Sequence, residues 1–384
     1  NSQPSLKSKP VSTKLIKAKR GPYMKQIMLV PAVAPAITLA AVALIMSLGS
    51  CQSTTTLAPK ATTKVMSIKN NRIVDANGKP FVMRGVNLQY GDNPTAAFPG
   101  IKGIASTKAN VIRIQFRRTT TPEQVKAAIE DSIAHKMIVM PMFWEDGVHH
   151  EDQGPTCSNS EKALNEATAK WTTDWRSVMQ EPNYQPYLML NIANEWGRKW
   201  NNDIGGYPMT YQDFIDYYKV QISKLRNAGY KMPLVIDAPQ CGQDFRAFVE
   251  GRGKQLLEHD PEKNIVLSVH AYWSYHSEQL IDEALNALEQ EDVPYIFGEF
   301  GNKLFQSTRP EGNKATQFDY LITRLNELKR GWIAWSWKGN GAWDLQETLD
   351  MSETYYPATL TPHGQDIVNL PAGIKQTAKK ASYW

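Results

Sequence analysis

The sequence predicts an α/β protein built as a single (β/α)8 TIM barrel, and three observations point to it. Eight short apolar runs recur between residues 84 and 339. Amphipathic stretches of helical period lie between them. The runs are almost continuously aliphatic, β-branched or aromatic, as parallel strands covered on both faces are. An open doubly wound sheet is the rival, but it usually carries a glycine-rich phosphate turn after its first strand, and RGVNLQYGDNP from Arg84 has none.

In chain order, residues 1–23 read as an upstream segment, because Met24-Lys25 is the better start. Residues 24–50 have the basic start, apolar run and small-residue end of a signal peptide. Leu48-Gly49-Ser50-Cys51 resembles a bacterial lipobox, which would make Cys51 a lipidated N-terminus. The run is also long enough for an uncleaved anchor. Export is therefore expected, either as a cell-surface or outer-membrane lipoprotein or as a secreted protein. Residues 51–66 form a Thr-rich tether, and residues 67–384 the barrel domain, which opens with a hairpin turning at Asn77-Gly78.

The eight strands are RGVNLQY from Arg84, ANVIRIQF from Ala109, MIVMPMFW from Met137, YLMLNIANEW from Tyr187, MPLVIDAP from Met232, NIVLSVHAYW from Asn264, VPYIFGEFG from Val293 and GWIAWSWKG from Gly331. TPEQVKAAIEDSIAHK has Thr121 at a cap and Pro122 at the first helical position. Helical periodicity recurs in EKALNEATAKWTTDWRSVM, YQDFIDYYKVQISKLRNAG, SEQLIDEALNALEQ and TQFDYLITRLNELKR, with Gly229 and Gly331 expected to end two of them.

The net charge of +5 is unevenly placed: the first sixty residues hold eight of the 43 Lys/Arg and none of the 38 Asp/Glu, which leaves the remainder at −3. A mildly acidic body excludes a basic nucleic-acid face. Membrane contact is expected only through the leader, and the protein is expected to be a monomer. Cys157 and Cys241 are either a disulfide or two buried thiols. No CxxC or His-rich spacing suggests a metal, and no cofactor is expected. The eleven tryptophans provide flat apolar faces of the kind sugars stack on, although many must be core.

In such a barrel, chemistry sits at the C-terminal strand ends. Polar residues collect there: Arg113 on the second strand, Asn194-Glu195-Trp196 on the fourth, His270-Ala271-Tyr272 on the sixth, Gly298-Glu299 on the seventh and Trp335-Ser336-Trp337 on the eighth. Taken singly, each has a plain structural explanation, such as an ion pair, a helix cap or a core ring. Strands four and seven lie on opposite sides of the mouth of such a barrel, so Glu195 and Glu299 are expected to point across one cleft. Two carboxyls about 5–5.5 Å apart suit retaining glycoside hydrolysis, and about 6.5–9.5 Å suits inversion.

These residues resemble glycoside hydrolase family 5 of the cellulase-like clan: NEW at Asn194, HAYW at His270, GEFG at Gly298 and the Arg113 strand. The resemblance implies a retaining mechanism, Glu195 as acid/base and Glu299 as nucleophile. It also implies that Arg113, Asn194, His270, Tyr272 and Trp335 fall on active-site positions, with Trp144, Trp196 and Trp337 as further substrate contacts. The family usually ends its third strand with a His, where this chain has Trp144; His149 or His150 could reach in from the loop. GWIAWSWKGNGAWDLQETLDM is most similar to bacterial β-1,4-mannanases, which implies an endo-acting enzyme on mannan, glucomannan or galactomannan. An endo-β-1,4-glucanase is the alternative, and a non-catalytic glycan-binding lipoprotein the second. Trp200, Trp273 and Trp343 are candidate stacking platforms.

Overall fold

The computed structural model describes residues 64–146, 154–197, 209–301, 315–340 and 349–384. The upstream segment, the signal peptide, Cys51 and nearly all of the tether lie outside the described residues, as do His149, His150, Trp200 and Trp343. All eight expected runs are strands: β1 (Arg84–Leu88), β2 (Val111–Phe116), β3 (Ile138–Phe143), β4 (Leu190–Asn191), β5 (Leu234–Asp237), β6 (Ile265–Ala271), β7 (Tyr295–Phe300) and β8 (Gly331–Ala334). Each pairs in parallel with the next, and β8 closes on β1.

Side chains alternate along each strand, which splits the protein into two apolar layers. Ile112, Ile114 and Phe116 of β2 face outward and pack with the surrounding helices. Val111 of the same strand joins Ile138, Met140, Val235, Val266, Ile296 and Ile333 in a second apolar cluster. Phe81 and Met83, just ahead of β1, belong to this cluster. So does Met66, the last residue of the expected tether, which is fully buried against the barrel. Continuing the alternation from Val111 puts Arg113, then Gln115, on its side of the strand, nearer the C-terminal end.

The opening hairpin pairs Ser67–Lys69 with Arg72–Val74. Its turn is Asn70-Asn71, both at positive φ (49° and 54°) as a tight hairpin turn requires. The expected Asn77-Gly78 turn is a second one, closed by the Val74–Pro80 bridge, with Gly78 at φ 75°.

Helices occupy Pro122–Ala134, Glu161–Thr172, Tyr211–Asn227, Glu278–Glu291 and Phe318–Glu327, as the periodicity predicts. Thr121 and Gln124 form a reciprocal capping box at the first. Gly229 (φ 95°) follows the third. Gly331 does not end a helix; Lys329 takes the left-handed conformation (φ 53°), and Gly331 begins β8. Periodicity missed Pro99–Ser106, Arg252–His259 and Pro362–Asn369, because each is only eight residues long. In the first of these a Cβ on Gly103 would lie 2.3 Å from the Tyr355 carbonyl and 2.7 Å from the Trp337 ring, so close packing outweighs propensity there.

The end of β4 is held from outside the barrel. Trp171, fully buried, donates from Nε1 to the Ile192 carbonyl at 2.8 Å, three residues before Glu195. Trp171→Phe keeps the bulk but strands that carbonyl. It should destabilise the fold by about 1–3 kcal/mol in a urea titration; an unchanged midpoint would remove this bond from the account of β4.

Candidate active site

Arg113 reaches its place by strand parity, and its guanidinium is fully buried. A guanidinium has five N–H groups, and all five meet acceptors here. Nε donates to Asn191 Oδ1 (2.9 Å). Nη1 donates to Asn87 Oδ1 (2.8 Å) and Glu299 Oε1 (2.6 Å). Nη2 donates to Asn194 Oδ1 (2.8 Å) and Asp237 Oδ2 (3.0 Å). One side chain thus joins β1, β2, β4, β5 and β7.

Glu195 sits just past β4 in the left-handed conformation, φ 48°, rare for a residue with a Cβ and a mark of a site held by its surroundings. Its amide donates to Asp237 Oδ2 (3.2 Å), and its carbonyl accepts from the Cys157 amide (3.1 Å). Its Oε1 lies 2.8 Å from His270 Nδ1. His270 Nε2 faces Asp237 Oδ1 at 3.3 Å. The β6–β7 register slips by one residue between Val269 and His270, which sets His270 opposite Glu299; bulges re-aim side chains in this way. Tyr272 donates from its hydroxyl to Glu299 Oε2 at 2.7 Å. An oxygen of Glu195, a ring nitrogen of His270 and an oxygen of Glu299 all lie within 4.8 Å of one another.

The electrostatics divide these groups. Burial, with Glu299 nearby, raises the Glu195 pKa above the usual carboxylate range despite the His270 contact. Burial opposes charge on His270, but Glu299 and Asp237 outweigh it and hold the imidazole at about 10. Burial likewise opposes charge on Asp237, but His270 and Arg113 pull it down to about 2. Desolvation, then Glu299 and Glu195, push the Tyr272 phenol well above its ordinary value, so it stays a donor. Glu195, His270 and Glu299 thus form one buried hydrogen-bonded and charged cluster.

The two glutamates open into a cleft of about 330 Å³ walled by Trp144, Tyr272, Trp273 and Trp335. The Arg117 guanidinium stacks over Trp144 at 4.0 Å. Trp335 Nε1 donates to Asn340 Oδ1 (2.8 Å), which also accepts from Gln89 (2.7 Å), so that indole is fixed in plane. A larger pocket, about 610 Å³, lies at the other end of the barrel beneath the hairpin, but its lining includes no acid, and the chemistry is not there.

Two expected substrate contacts are corrected. Trp196 is fully buried, donates to the Ser160 carbonyl at 2.8 Å and stacks on Phe214. Trp337 is also fully buried and donates to the Tyr355 carbonyl at 3.0 Å. Trp196 follows the cleft residue Glu195 and points away from it, and Trp337, two residues after the cleft residue Trp335, is turned into the core. Arg113 and His270, equally buried, reach the two glutamates rather than the open cleft. Sequence reasoning missed Asp237, Asn87 and Asn191. Asp237 ends the run LVID, and the rule applied to the other strand ends would have found it. Cys157 and Cys241, left open as thiols or a pair, form a disulfide that lines the cleft.

The family model Cellulase (glycosyl hydrolase family 5) matches residues 74–341. A mannan endo-1,4-beta-mannosidase of Streptomyces lividans is 30% identical over 326 residues, 83% of this chain and 77% of that protein. The beta-mannanase of Thermomonospora fusca superposes with a TM-score of 0.71 at 29% identity, covering 83% of this chain and 99% of that one; its mannohexaose complex matches at 0.70. The endoglucanase catalytic domain of Thermobifida fusca, at 16% identity and 0.56 over 79% of this chain and 95% of that one, shares the fold alone.

Arg113→Ala would leave Glu299 and Asp237 buried without their cation, a loss of about 3–5 kcal/mol. Asp237 is depressed to about 2, so its stabilisation is present above its unfolded pKa and fades as pH falls through the folded one. The variant's deficit in urea titrations should therefore be full at pH 7 and shrink below about pH 4. A deficit independent of pH would show that the ion pairs are not its source.

Proposed function

The chain belongs to the cellulase family, glycosyl hydrolase family 5, and from that premise we propose that it is a retaining endo-acting glycoside hydrolase of β-1,4-mannans, with Glu299 as nucleophile and Glu195 as acid/base. The observation that carries the mechanism is the approach of the two carboxyls, one oxygen of each lying within 4.8 Å of the other, which suits the short spacing of the retaining route better than the wider one of inversion.

Glu299, ionised and gripped by Arg113 and Tyr272, attacks the anomeric carbon. Glu195, kept protonated by burial, gives its proton to the departing glycosidic oxygen. The result is a glycosyl ester on Glu299. Arg113 and His270 are cationic, Asp237 and Glu299 anionic, so the five-group cluster is neutral when Glu195 carries its proton. Esterification removes the Glu299 charge while Glu195, having given up its proton, gains one, so the cluster stays neutral. Glu195, now a carboxylate with no anionic Glu299 beside it, takes a proton from water and directs the hydroxide at the anomeric carbon, which releases Glu299 as a carboxylate. Asn194, anchored through Oδ1 to Arg113, is left with an amide able to bond the hydroxyl next to the anomeric carbon, and Trp335 with Trp144 and Trp273 provide faces for the sugar rings.

Mannan is favoured over cellulose by the relatives named as mannanases, which match this chain at 26–30% identity, and by the GNG run after the eighth strand. Export belongs to the same proposal: a basic start and apolar run precede Cys51, and the Cys157–Cys241 disulfide suits an oxidising compartment.

Reducing-sugar release should be seen with galactomannan and glucomannan; release from carboxymethylcellulose alone would overturn the substrate. Glu299→Ala should lower kcat by more than about 10³-fold, since the covalent route is lost. Glu195→Ala should slow natural substrates and spare glycosylation by aryl glycosides, which need no proton. For kcat/KM, the alkaline limb, set by Glu195 losing its proton, should lie above the ordinary carboxylate range near 4.3. A profile already falling at pH 4 would contradict the acid assignment.

A further inference from the structure

We propose that the Cys157–Cys241 disulfide positions the acid: the bonded sulfurs are the wall that holds the Glu195 carboxyl toward the cleft and keeps water from its proton-bearing oxygen. The inference rests on Glu195 being the acid/base.

The two cysteines lie 84 residues apart, one in the loop after β3 and one in the loop after β5, with Cα atoms 4.5 Å apart. The bond therefore ties together the loops on either side of the end of β4. The acid-bearing turn is hydrogen-bonded to both loops. The Cys157 amide donates to the Glu195 carbonyl (3.1 Å), the Gly197 amide to the Ser158 carbonyl (2.7 Å) and the Gln240 amide to the Gly197 carbonyl (2.8 Å). Glu195, Cys157, Gln240 and Cys241 all have φ between 48° and 60°. Left-handed conformations are uncommon for residues with a Cβ and persist where the surroundings over-determine them; a covalent tie across the turn does so. The loop after β5 also seats the histidine. The His270 amide donates to the Gly242 carbonyl at 2.7 Å, and a Cβ on Gly242 would meet the imidazole ring at 2.4 Å.

The carboxyl itself is handled unequally. Oε1 receives the His270 Nδ1 proton at 2.8 Å, so the acid proton belongs on Oε2. That oxygen lies 3.4 Å from Cys157 Sγ. A disulfide sulfur has no proton to give and accepts weakly, so it neither neutralises Oε2 nor competes for its proton. It fills space that water would occupy. Both cysteines line the cleft and are half-buried, within reach of a small reductant.

The test compares wild type, wild type treated with dithiothreitol, and the Cys157→Ser/Cys241→Ser double variant. The dithiol reduces the disulfide to two thiols and closes to its own cyclic disulfide. Each form is assayed on a mannooligosaccharide, whose leaving group needs a proton, and on 2,4-dinitrophenyl β-mannobioside, whose leaving group does not. Circular dichroism checks that each form is folded. Without the bond, kcat/KM on the oligosaccharide should fall about tenfold or more, through kcat, part of what a general acid contributes. The aryl kcat/KM, which reports glycosylation alone, should stay within about twofold. The alkaline limb on the oligosaccharide should move to lower pH, because water reaches Glu195. Equal losses on both substrates, a change in KM alone, no change at all, or unfolding of both disulfide-free forms would each overturn the proposal in favour of a purely structural bond. Failure of the function reading looks different: wild type itself would leave both mannosides intact, or Glu195→Ala would slow the two substrates equally.

Discussion

The site is organised around a single buried cation. Arg113 has no exposure to solvent, so every donor it carries must be satisfied by protein. Five acceptors from four other strand ends do this, and the requirement works in both directions. The guanidinium needs the acceptors, and one of them, Asp237, is a fully buried carboxylate held ionised by His270 and Arg113 together. Fixing the plane of one fork therefore fixes Glu299, the amide of Asn194 and the buried Asp237 of β5. A Lys, with three mobile donors, could not make the same five-way junction.

Asp237 carries this order to the other glutamate. Its Oδ2 accepts from both Arg113 and the Glu195 backbone amide, and its Oδ1 faces His270. His270 in turn lies between Asp237 and the Glu195 carboxyl. The two glutamates come from strands 104 positions apart in sequence, yet a short chain of charge-assisted contacts sets their separation: Glu299 to Arg113, Arg113 to Asp237, Asp237 to His270, His270 to Glu195.

Much of this was legible in the sequence, and the failures are informative. The eight strands show because parallel strands covered on both faces leave long apolar runs, and the functional strand ends show because a charge after such a run needs a reason. Helices of eight residues were not legible: two turns carry too little periodicity, and PGIKGIAS owes its helix to contacts with Tyr355 and Trp337 rather than to propensity. Asn87 and Asn191 sit inside strands, where a single polar residue reads as noise until the cation it serves is seen. Trp196 and Trp337 show the limit of reading motifs whole. NEW sets the cleft residues Asn194 and Glu195 beside a core Trp196, and WSW sets a cleft Trp335 beside a core Trp337, a division that the motif text does not mark. The pairing of Cys157 with Cys241 was open for the same reason, because sequence distance says nothing about loops that meet over a strand between them.

The division of the barrel interior explains why a site of this kind tolerates so many ionised groups. Toward the strands' N-terminal ends the inner face is apolar, with Val111, Ile138, Val235, Val266, Ile296 and Ile333 packed with Met66, Phe81 and Met83. That packing excludes water from below. Above it the groups come in opposite charges and border the cleft. Strand parity makes both regions from the same strands: Val111 and Arg113 are two residues apart on β2, one in the floor and one in the charged layer. Moving a strand by one residue would exchange inward and outward faces, placing Arg113 against the helices and Ile112 beneath the substrate. The register that buries the apolar floor is therefore the same register that brings the Glu195 and Glu299 carboxyls together at the cleft, and both depend on one geometric variable.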